Sequence, residues 1–238
     1  MTVQTERKTK YFLTFAAGLL LILFFGVCRV EAATKLALFN FATSSDMKVA
    51  KGTKLDLAGD KKASAWTSSN PKVVKVSKSG IATAVKPGKA VVSAKIDGEK
   101  EECQITVVKD VLKGSKYIGK LSKTWESADS GKKVTVKSQN LKKGLEDFLK
   151  QIKPENAEDV VYKKCGKIVA VEEDSAGATV YFEAAGVLDG KDQTFPCVAV
   201  FTNDYEHEQY DYALMLQPVI WMTDDGQLLY GAGYFWYA

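Results

Sequence analysis

Acidic side chains alternate with other side chains from Asp204 to Gln209, in the Asp204–Asp211 stretch whose composition most directly suggests ligand chemistry. If this segment is extended, Asp204, Glu206 and Glu208 share one face. Three oxygen ligands on one face could hold calcium. The segment lacks the spaced Asp, Asn and Gly residues of a calcium loop, so an exposed hairpin loop is the alternative. No other cofactor is expected.

Aromatic residues near the end of the chain could form a sugar-binding platform. Aromatic faces beside acids and amides offer both stacking surface and polar contacts. Alternating aromatics on a terminal strand are also typical of core packing and cross-strand pairing. The candidate ligand-binding residues are Tyr205, Tyr210, Trp221, Tyr234 and Trp236.

The sequence offers little for catalysis. His207 is the single histidine, so a Ser-His-Asp or Cys-His arrangement would have to use it. The chain has no Gly-x-Ser-x-Gly elbow, phosphate loop or dinucleotide fingerprint. In a glycosidase two carboxylates flank the scissile bond, and this chain has many carboxylates. Their number alone does not identify any two of them as a catalytic pair. We therefore expect no catalytic residues and no enzymatic activity.

Three cysteines follow the N-terminal segment: Cys103, Cys165 and Cys197. An odd number allows at most one internal disulfide among them. Cys103 falls on the apolar side of an alternating strand, which predicts a buried thiol. Cys165 and Cys197 are then the pair that could form a disulfide in an oxidising compartment.

The first 33 residues are typical of a secretory signal peptide. Basic residues precede an apolar stretch from Tyr11 to Val27, and small residues follow at Ala32 and Ala33. The apolar stretch counts 17 residues, close to the length of a membrane span, so an uncleaved anchor is the alternative. We expect cleavage near Ala32 or Ala33 and a location outside the cell.

Charge is divided unevenly along the remaining chain. Residues 34–109 contain 14 lysines and 7 acids, a balance of +7, whereas residues 110–238 contain 15 lysines and 20 acids, a balance of −5. The basic half could contact anionic wall polymers or lipid, and two ordinary solvated surfaces are the alternative. Arginine occurs only at Arg7 and Arg29. Without guanidinium groups for phosphates or base edges, nucleic-acid binding is not expected.

Period-two alternation predicts short strands between residues 34 and 109. Ala90, Val92, Ala94 and Ile96 fall on one face of a strand, and Cys103, Ile105 and Val107 repeat the pattern in the next. Turn residues separate the strands at Asn70-Pro71, Ser79-Gly80, Pro87-Gly88 and Asp97-Gly98. Short strands at this spacing predict an all-β sandwich, with Trp66 packed between its two sheets.

Several motifs in this half, in the same order, resemble the bacterial group 2 immunoglobulin-like (BIG2) domain. They are W-x-S-S-N-P at residues 66–71, V-x-x-V-x-x-S-G-I-A-T-A-V at residues 73–85 and K-P-G-K-A-V-V-S-A at residues 86–94. The resemblance covers about residues 36–109. It implies an immunoglobulin-like sandwich of the kind that secreted and surface bacterial proteins carry as a spacer or adhesion module.

A linker at residues 110–116 is predicted to precede a second domain at residues 117–238. Asn140 could cap a helix whose apolar residues are Leu141, Leu145, Phe148, Leu149 and Ile152. Strand-like runs follow at residues 160–162, 168–171, 178–184, 195–202, 212–222 and 228–236, with a hairpin turn at Asp224-Asp225-Gly226. The pattern predicts an α+β domain, with one helix packed on a mostly antiparallel sheet.

The sequence therefore predicts a secreted or cell-surface bacterial protein that acts as a non-catalytic adhesion or binding module. Its expected partners are an extracellular glycan, a wall polymer or a surface protein. Membrane contact is expected only through the N-terminal segment, if that segment is not cleaved. The alternatives are a hydrolase of glycans or wall polymers that uses C-terminal carboxylates, and a structural subunit that binds other surface proteins.

Overall fold

A computed structural model gives the fold of the protein. It describes residues 39–41, 43–44, 46–59, 61–127, 130–152, 161–173, 175–188, 190–203, 213–222, 228–230 and 234–238. Within these ranges the fold is mostly β, with one α-helix, α1 (Leu141–Leu149), and two 3-10 turns at Ile118–Lys120 and Ser138–Asn140. No helix within them is both long and apolar enough to cross a membrane. The predicted signal peptide lies outside the described residues.

Sixteen strands make up the β structure of these ranges. The first eight are β1 (Phe39–Asn40), β2 (Asp46–Ala50), β3 (Lys54–Asp56), β4 (Ala63–Ser68), β5 (Val74–Val76), β6 (Ile81–Ala84), β7 (Gly88–Ile96) and β8 (Glu99–Val108). The others are β9 (Ser122–Ser127), β10 (Lys133–Lys137), β11 (Val161–Glu173), β12 (Gly177–Leu188), β13 (Lys191–Thr202), β14 (Ala213–Met222), β15 (Leu228–Tyr230) and β16 (Tyr234–Tyr237).

These strands form two sheets. One has four strands in the order β1-β3-β6-β5. The other has twelve, in the order β10-β9-β16-β14-β13-β12-β11-β2-β8-β7-β4, with β15 pairing β14 beside this path. The larger sheet therefore runs through both halves of the chain.

The alternation predicted for β7 and β8 is confirmed. Ala90, Val92, Ala94 and Ile96 are buried, and so are Cys103, Ile105 and Val107. Residues of both sheets bury their side chains in one cluster, here called the first core, which includes Phe39, Leu55, Val74, Ala82, Met47, Val92 and Ile105. The two sheets therefore cover each other's apolar faces in this half of the chain.

Trp66 packs against the first core but stays partly exposed, so it borders the core rather than filling it. Its ring lies over Gly80, where an added Cβ would come within 2.7 Å of Trp66 Cζ2. Gly80 also has a φ of +83°, a conformation that glycine adopts at little cost. The Ser-Gly turn predicted at this point thus makes room for the tryptophan.

The helix prediction for the second half is confirmed. Leu141, Leu145, Phe148 and Leu149 are buried on α1, and Ile152 is buried just after it. These side chains belong to a second core together with Trp125, Val136, Phe182, Phe195, Phe201 and Trp236. The proposed cap is wrong in detail, because the Asn140 side chain accepts a hydrogen bond from the Lys137 N–H at 2.6 Å and makes no bond to the helix.

Several strand bounds differ from the sequence prediction. Residues 161–162 and the run at 168–171 belong to one long strand, β11, whose pairing with β12 shifts register at three points. The run at 228–236 is divided between β15 and β16, and β9 and β10 were not predicted. Lysines stand at both ends of β10, which leaves only Val134 and Val136, on either side of Thr135, to mark it as a strand. The predicted turn at residues 224–226 lies outside the described residues.

The two halves are joined through β2. This strand pairs in parallel with β8 and antiparallel with β11, where Val49 lies opposite Ala170. Tyr181 on β12 adds an aromatic contact, since its ring centroid lies 6.2 Å from Phe39 and 4.7 Å from Phe41. As a result β11 to β13 face the first core on one side and the second core on the other, which explains the continuous apolar runs at residues 168–171 and 195–201.

The segment predicted as a linker is packed against the second half. Val111 is only 4% exposed and belongs to the second core. The Asp110 carboxylate accepts a hydrogen bond from the Leu112 N–H at 2.9 Å. Residues 110–116 therefore follow the surface of the large sheet instead of spanning open solvent.

Candidate binding surfaces

Most of the ligand residues predicted from the sequence have no described side chain. Tyr205 and Tyr210, and the calcium candidates Asp204, Glu206 and Glu208, lie outside the described residues. Trp221 lies on β14 and Tyr234 at the start of β16, and only the backbone of these two residues is described. Within the described ranges, no group of three or more His, Cys, Asp or Glu side chains could hold a metal ion. The calcium site remains a prediction.

Trp236 is the exception, and its prediction as an exposed ligand-binding side chain is wrong. The side chain is 2% exposed. Its ring centroid lies 4.7 Å from that of Phe148, and its Nε1 donates a hydrogen bond to Gln151 Oε1 at 3.1 Å. Trp236 therefore anchors β16 to the helix side of the second core.

The predicted disulfide is also wrong, because Cys165 is a free, buried thiol. Cys165 lies opposite Ala184 of β12, and Cys197 lies opposite Phe182 of the same strand. The two cysteines are thus on strands that flank β12, about 10 Å apart at twice the usual strand spacing. A disulfide requires Cα atoms closer than about 7 Å. Buried Cys103 matches its prediction.

Burial raises the pKa of the Cys165 thiol to about 12. Since the thiolate is the reactive form, we expect native protein to leave Cys165 unmodified by a thiol-alkylating reagent at pH 8, whereas unfolded protein reacts rapidly. Mass spectrometry of peptides after timed alkylation would measure this difference. A Cys165–Cys197 cross-linked peptide from air-exposed native protein would contradict the strand order.

A cavity of about 240 Å³ opens at the end of the β11, β12 and β13 strands. Its lining includes Glu172, Glu173, Thr179, Val200 and Phe201. Glu172 lies opposite Thr179, whereas Glu173 lies opposite Ala178. The two carboxylates therefore project to opposite faces of the sheet, because successive strand residues alternate.

Glu172 is held in this cavity by a tyrosine. Burial raises its pKa, and the Tyr181 hydroxyl, which donates a hydrogen bond at 2.8 Å, opposes that rise. Tyr181 also contacts Phe39 and Phe41 of the first core. This carboxylate is therefore tied to the contact between the two halves of the chain.

Glu173 accepts hydrogen bonds from the segment that leads into the 3-10 turn. Its donors are the Ser115 hydroxyl and the backbone N–H groups of Lys116, Tyr117 and Ile118, the last three at 2.8, 3.2 and 3.3 Å. Burial alone would raise the pKa of Glu173, but these bonds outweigh it and hold the pKa below its usual value. Glu173 thus fastens the segment after residue 110 to β11.

Replacing Glu173 with alanine is expected to lower the free energy of unfolding at pH 7 by about 1 kcal/mol, the usual cost of a lost cap, because the site is largely solvated. A carboxylate with a depressed pKa stabilises the fold above its unfolded pKa and loses that effect as pH falls. The difference between wild type and variant should therefore shrink as the pH falls through the folded-state pKa of Glu173. Urea unfolding at pH 7 and pH 3 would measure it, with exposed Glu99→Ala as control.

A second surface of interest is basic. Residues 61–96 contain eight lysines and no aspartate or glutamate. This run was visible in the sequence, but counting charge by halves did not single it out. Five ion pairs join described side chains through Lys100, Lys133, Lys143, Lys150 and Lys163, and none of these five involves Lys72, Lys75, Lys78 or Lys86.

The four-stranded sheet brings part of this charge together with Lys54, which precedes the run. Lys54 of β3 and Lys75 of β5 both lie opposite Thr83 of β6, so the three side chains form a row on the outer face. Lys72, Lys78 and Lys86 lie in the turns that flank β5 and β6, and all five lysines are exposed. We call Lys54, Lys72, Lys75, Lys78 and Lys86 the lysine face.

No protein-family model matches the chain, and no curated protein matches it.

Proposed function

We propose that the protein is a secreted or surface-attached bacterial protein that binds a wall polymer or glycan without catalysis. In this proposal the first half of the chain is an immunoglobulin-like sandwich of the group 2 type. The observation that carries the proposal is the lysine face, an exposed basic surface whose lysines make no ion pair with the described acids. An extended basic surface raises the local concentration of anionic partners.

The arrangement of the two cores supports a binding module held in a fixed orientation. The first core lies between two sheets, as it does in a sandwich. The larger sheet continues into the second half through the pairing of Val49 with Ala170. The second half would thus serve as a rigid base for the basic surface.

The two acids that line the cavity are not arranged as a hydrolytic pair. Glu172 and Glu173 project to opposite faces, so they cannot flank one glycosidic bond as an acid and base pair must. Glu173 is engaged by four hydrogen bonds of the fold itself. Glu172 and Glu173 both make hydrogen bonds that hold parts of the fold together, so their positions do not require a catalytic role.

Cosedimentation with purified bacterial cell-wall fragments tests this proposal. A protein that lacks residues 1–33 keeps every described residue and is the form to use. We expect saturable binding to the pelleted fragments without release of soluble sugar or peptide. A protein that stays in the supernatant at low salt, or fragments that are cleaved, would overturn the proposal.

A further inference from the structure

We propose that the lysine face binds a linear anionic polymer whose phosphate or carboxylate groups repeat along its length. This inference rests on the proposed function and names the class of ligand. The sequence places lysines at many positions, but only the sheet brings Lys54 and Lys75 into one row, although they are distant along the chain.

The spacing of the row suits repeated charges. Lys54 and Lys75 are separated by one strand, so their Cα atoms lie about 10 Å apart at the usual strand spacing. Thr83 lies between them and offers a hydroxyl. The turn lysines extend the basic surface along the β5–β6 hairpin beyond this row. A chain of charges laid across the strands could therefore contact several ammonium groups at once.

Acids of the four-stranded sheet itself do little to neutralise the lysine face. Asp56 is the one acid among the residues of its four strands, and it is 4% exposed. Its Oδ1 accepts hydrogen bonds from the Ala58 and Gly59 N–H groups at 3.1 and 3.0 Å. Because this carboxylate is buried and bonded to the backbone, the exposed charge of the face is that of its lysines.

A polymer fits the charge distribution better than a membrane does. Lys89 and Lys95 are exposed on β7, on the outer face of the other sheet, across the first core from Lys54 and Lys75. A flat bilayer could contact only one of these two faces, whereas a flexible polymer could pass around both. Among the side chains whose burial the structure describes, Val161 is the one large apolar side chain that is exposed, and it lies on β11 of the larger sheet.

The test compares Lys54→Gln/Lys75→Gln with Lys132→Gln/Lys142→Gln, which removes the same charge from exposed lysines of the second half. The probes are a long-chain polyphosphate and a poly-glutamate of similar length, titrated at 50 and 200 mM salt. At about 1 kcal/mol for each lysine, the first variant should bind either polymer roughly 30-fold more weakly at 50 mM salt, and the control should change less than threefold.

Salt dependence gives a second readout. Each ionic contact with a linear polyanion contributes about 0.7 to 0.9 to the slope of log affinity against log salt. The slope should therefore fall by about 1.4 to 1.8 in Lys54→Gln/Lys75→Gln and stay near the wild-type value in the control. Both variants replace exposed side chains, and urea unfolding should give each of them the same midpoint as wild type.

The outcomes separate this inference from the proposed function. If the wild type binds wall fragments but both variants bind them equally well, the inference fails and the proposed function stands. If the protein binds vesicles of anionic phospholipid but neither polymer, the ligand is a membrane and the inference is overturned. If neither wall fragments nor polymers are bound, both proposals fail.

Discussion

Replacing Trp236 with alanine should lower the free energy of unfolding by about 3 to 5 kcal/mol, as for other large aromatic side chains in cores. The ring is 2% exposed and packs at 4.7 Å against Phe148 of α1. Its removal leaves a cavity between the helix and the last strand. The substitution also leaves Gln151 Oε1 without the hydrogen bond that the indole N–H donates to it. Equilibrium unfolding in urea, followed by far-UV circular dichroism, would measure the loss.

Trp236→Phe is the matched control, since it keeps an aromatic ring against Phe148 and loses the bond to Gln151. We expect about 1 to 2 kcal/mol of destabilisation, from the lost hydrogen bond and the smaller ring. A Trp236→Ala protein with wild-type stability and impaired glycan binding would contradict the buried position. Such a result would return this residue to the ligand-binding surface.

Replacing Gly177 with alanine should have an effect of similar size for a different reason. A Cβ at this position would lie 1.9 Å from the Phe201 carbonyl oxygen. That oxygen belongs to the backbone of β13, which pairs with β12 along its whole length, so it cannot move without breaking the ladder. We expect a loss of at least about 3 kcal/mol, at the upper end of overpacking, or failure to fold.

Gly119→Ala provides the control for this prediction. Gly119 lies in the 3-10 turn, and nothing lies within 4 Å of an added Cβ there. Alanine also restricts the unfolded chain, so we expect stability to be unchanged or to rise by about 0.5 kcal/mol. Thermal unfolding of both variants would compare them directly. If Gly177→Ala were as stable as Gly119→Ala, the close approach of β12 and β13 at this point would be refuted.

Gly177 lies on the strands that the two cores share, whereas Trp236 belongs to the second core alone. Gly177 lines the acidic cavity and begins β12, the strand that carries Tyr181 to the first core. Trp236 closes the second core at the other end of the chain. Because β11 to β13 take part in both cores, we expect the two halves to unfold together in one transition. A binding surface on the first half would then depend on the packing of the second.

Local periodicity was enough to predict the elements whose partners are close in sequence. The alternation of Ala90, Val92 and Ala94 placed β7, and the spacing of Leu141, Leu145 and Phe148 placed α1. Both succeed because a strand or helix with one buried face must repeat its apolar residues at its own period. Residue types also determined the charge contrast between the halves.

The tertiary structure decided what depends on distant pairing. The long strand β11 has bulges that interrupt its period, so its sequence looked like two strands. The order of β11, β12 and β13 keeps Cys165 and Cys197 on either side of β12, a separation that no count of cysteines can reveal.

The candidate sites also depend partly on residue types, which the sequence gives directly, and partly on the pairing of distant strands. An aromatic side chain on a terminal strand can face solvent or the core, and only the position of α1 decided that Trp236 is buried. The sequence by itself determined that residues 61–96 carry lysines without acids. The pairing of β3, β6 and β5 decided that Lys54 and Lys75 share one face, because neighbours across a sheet are set by strand register and not by distance along the chain.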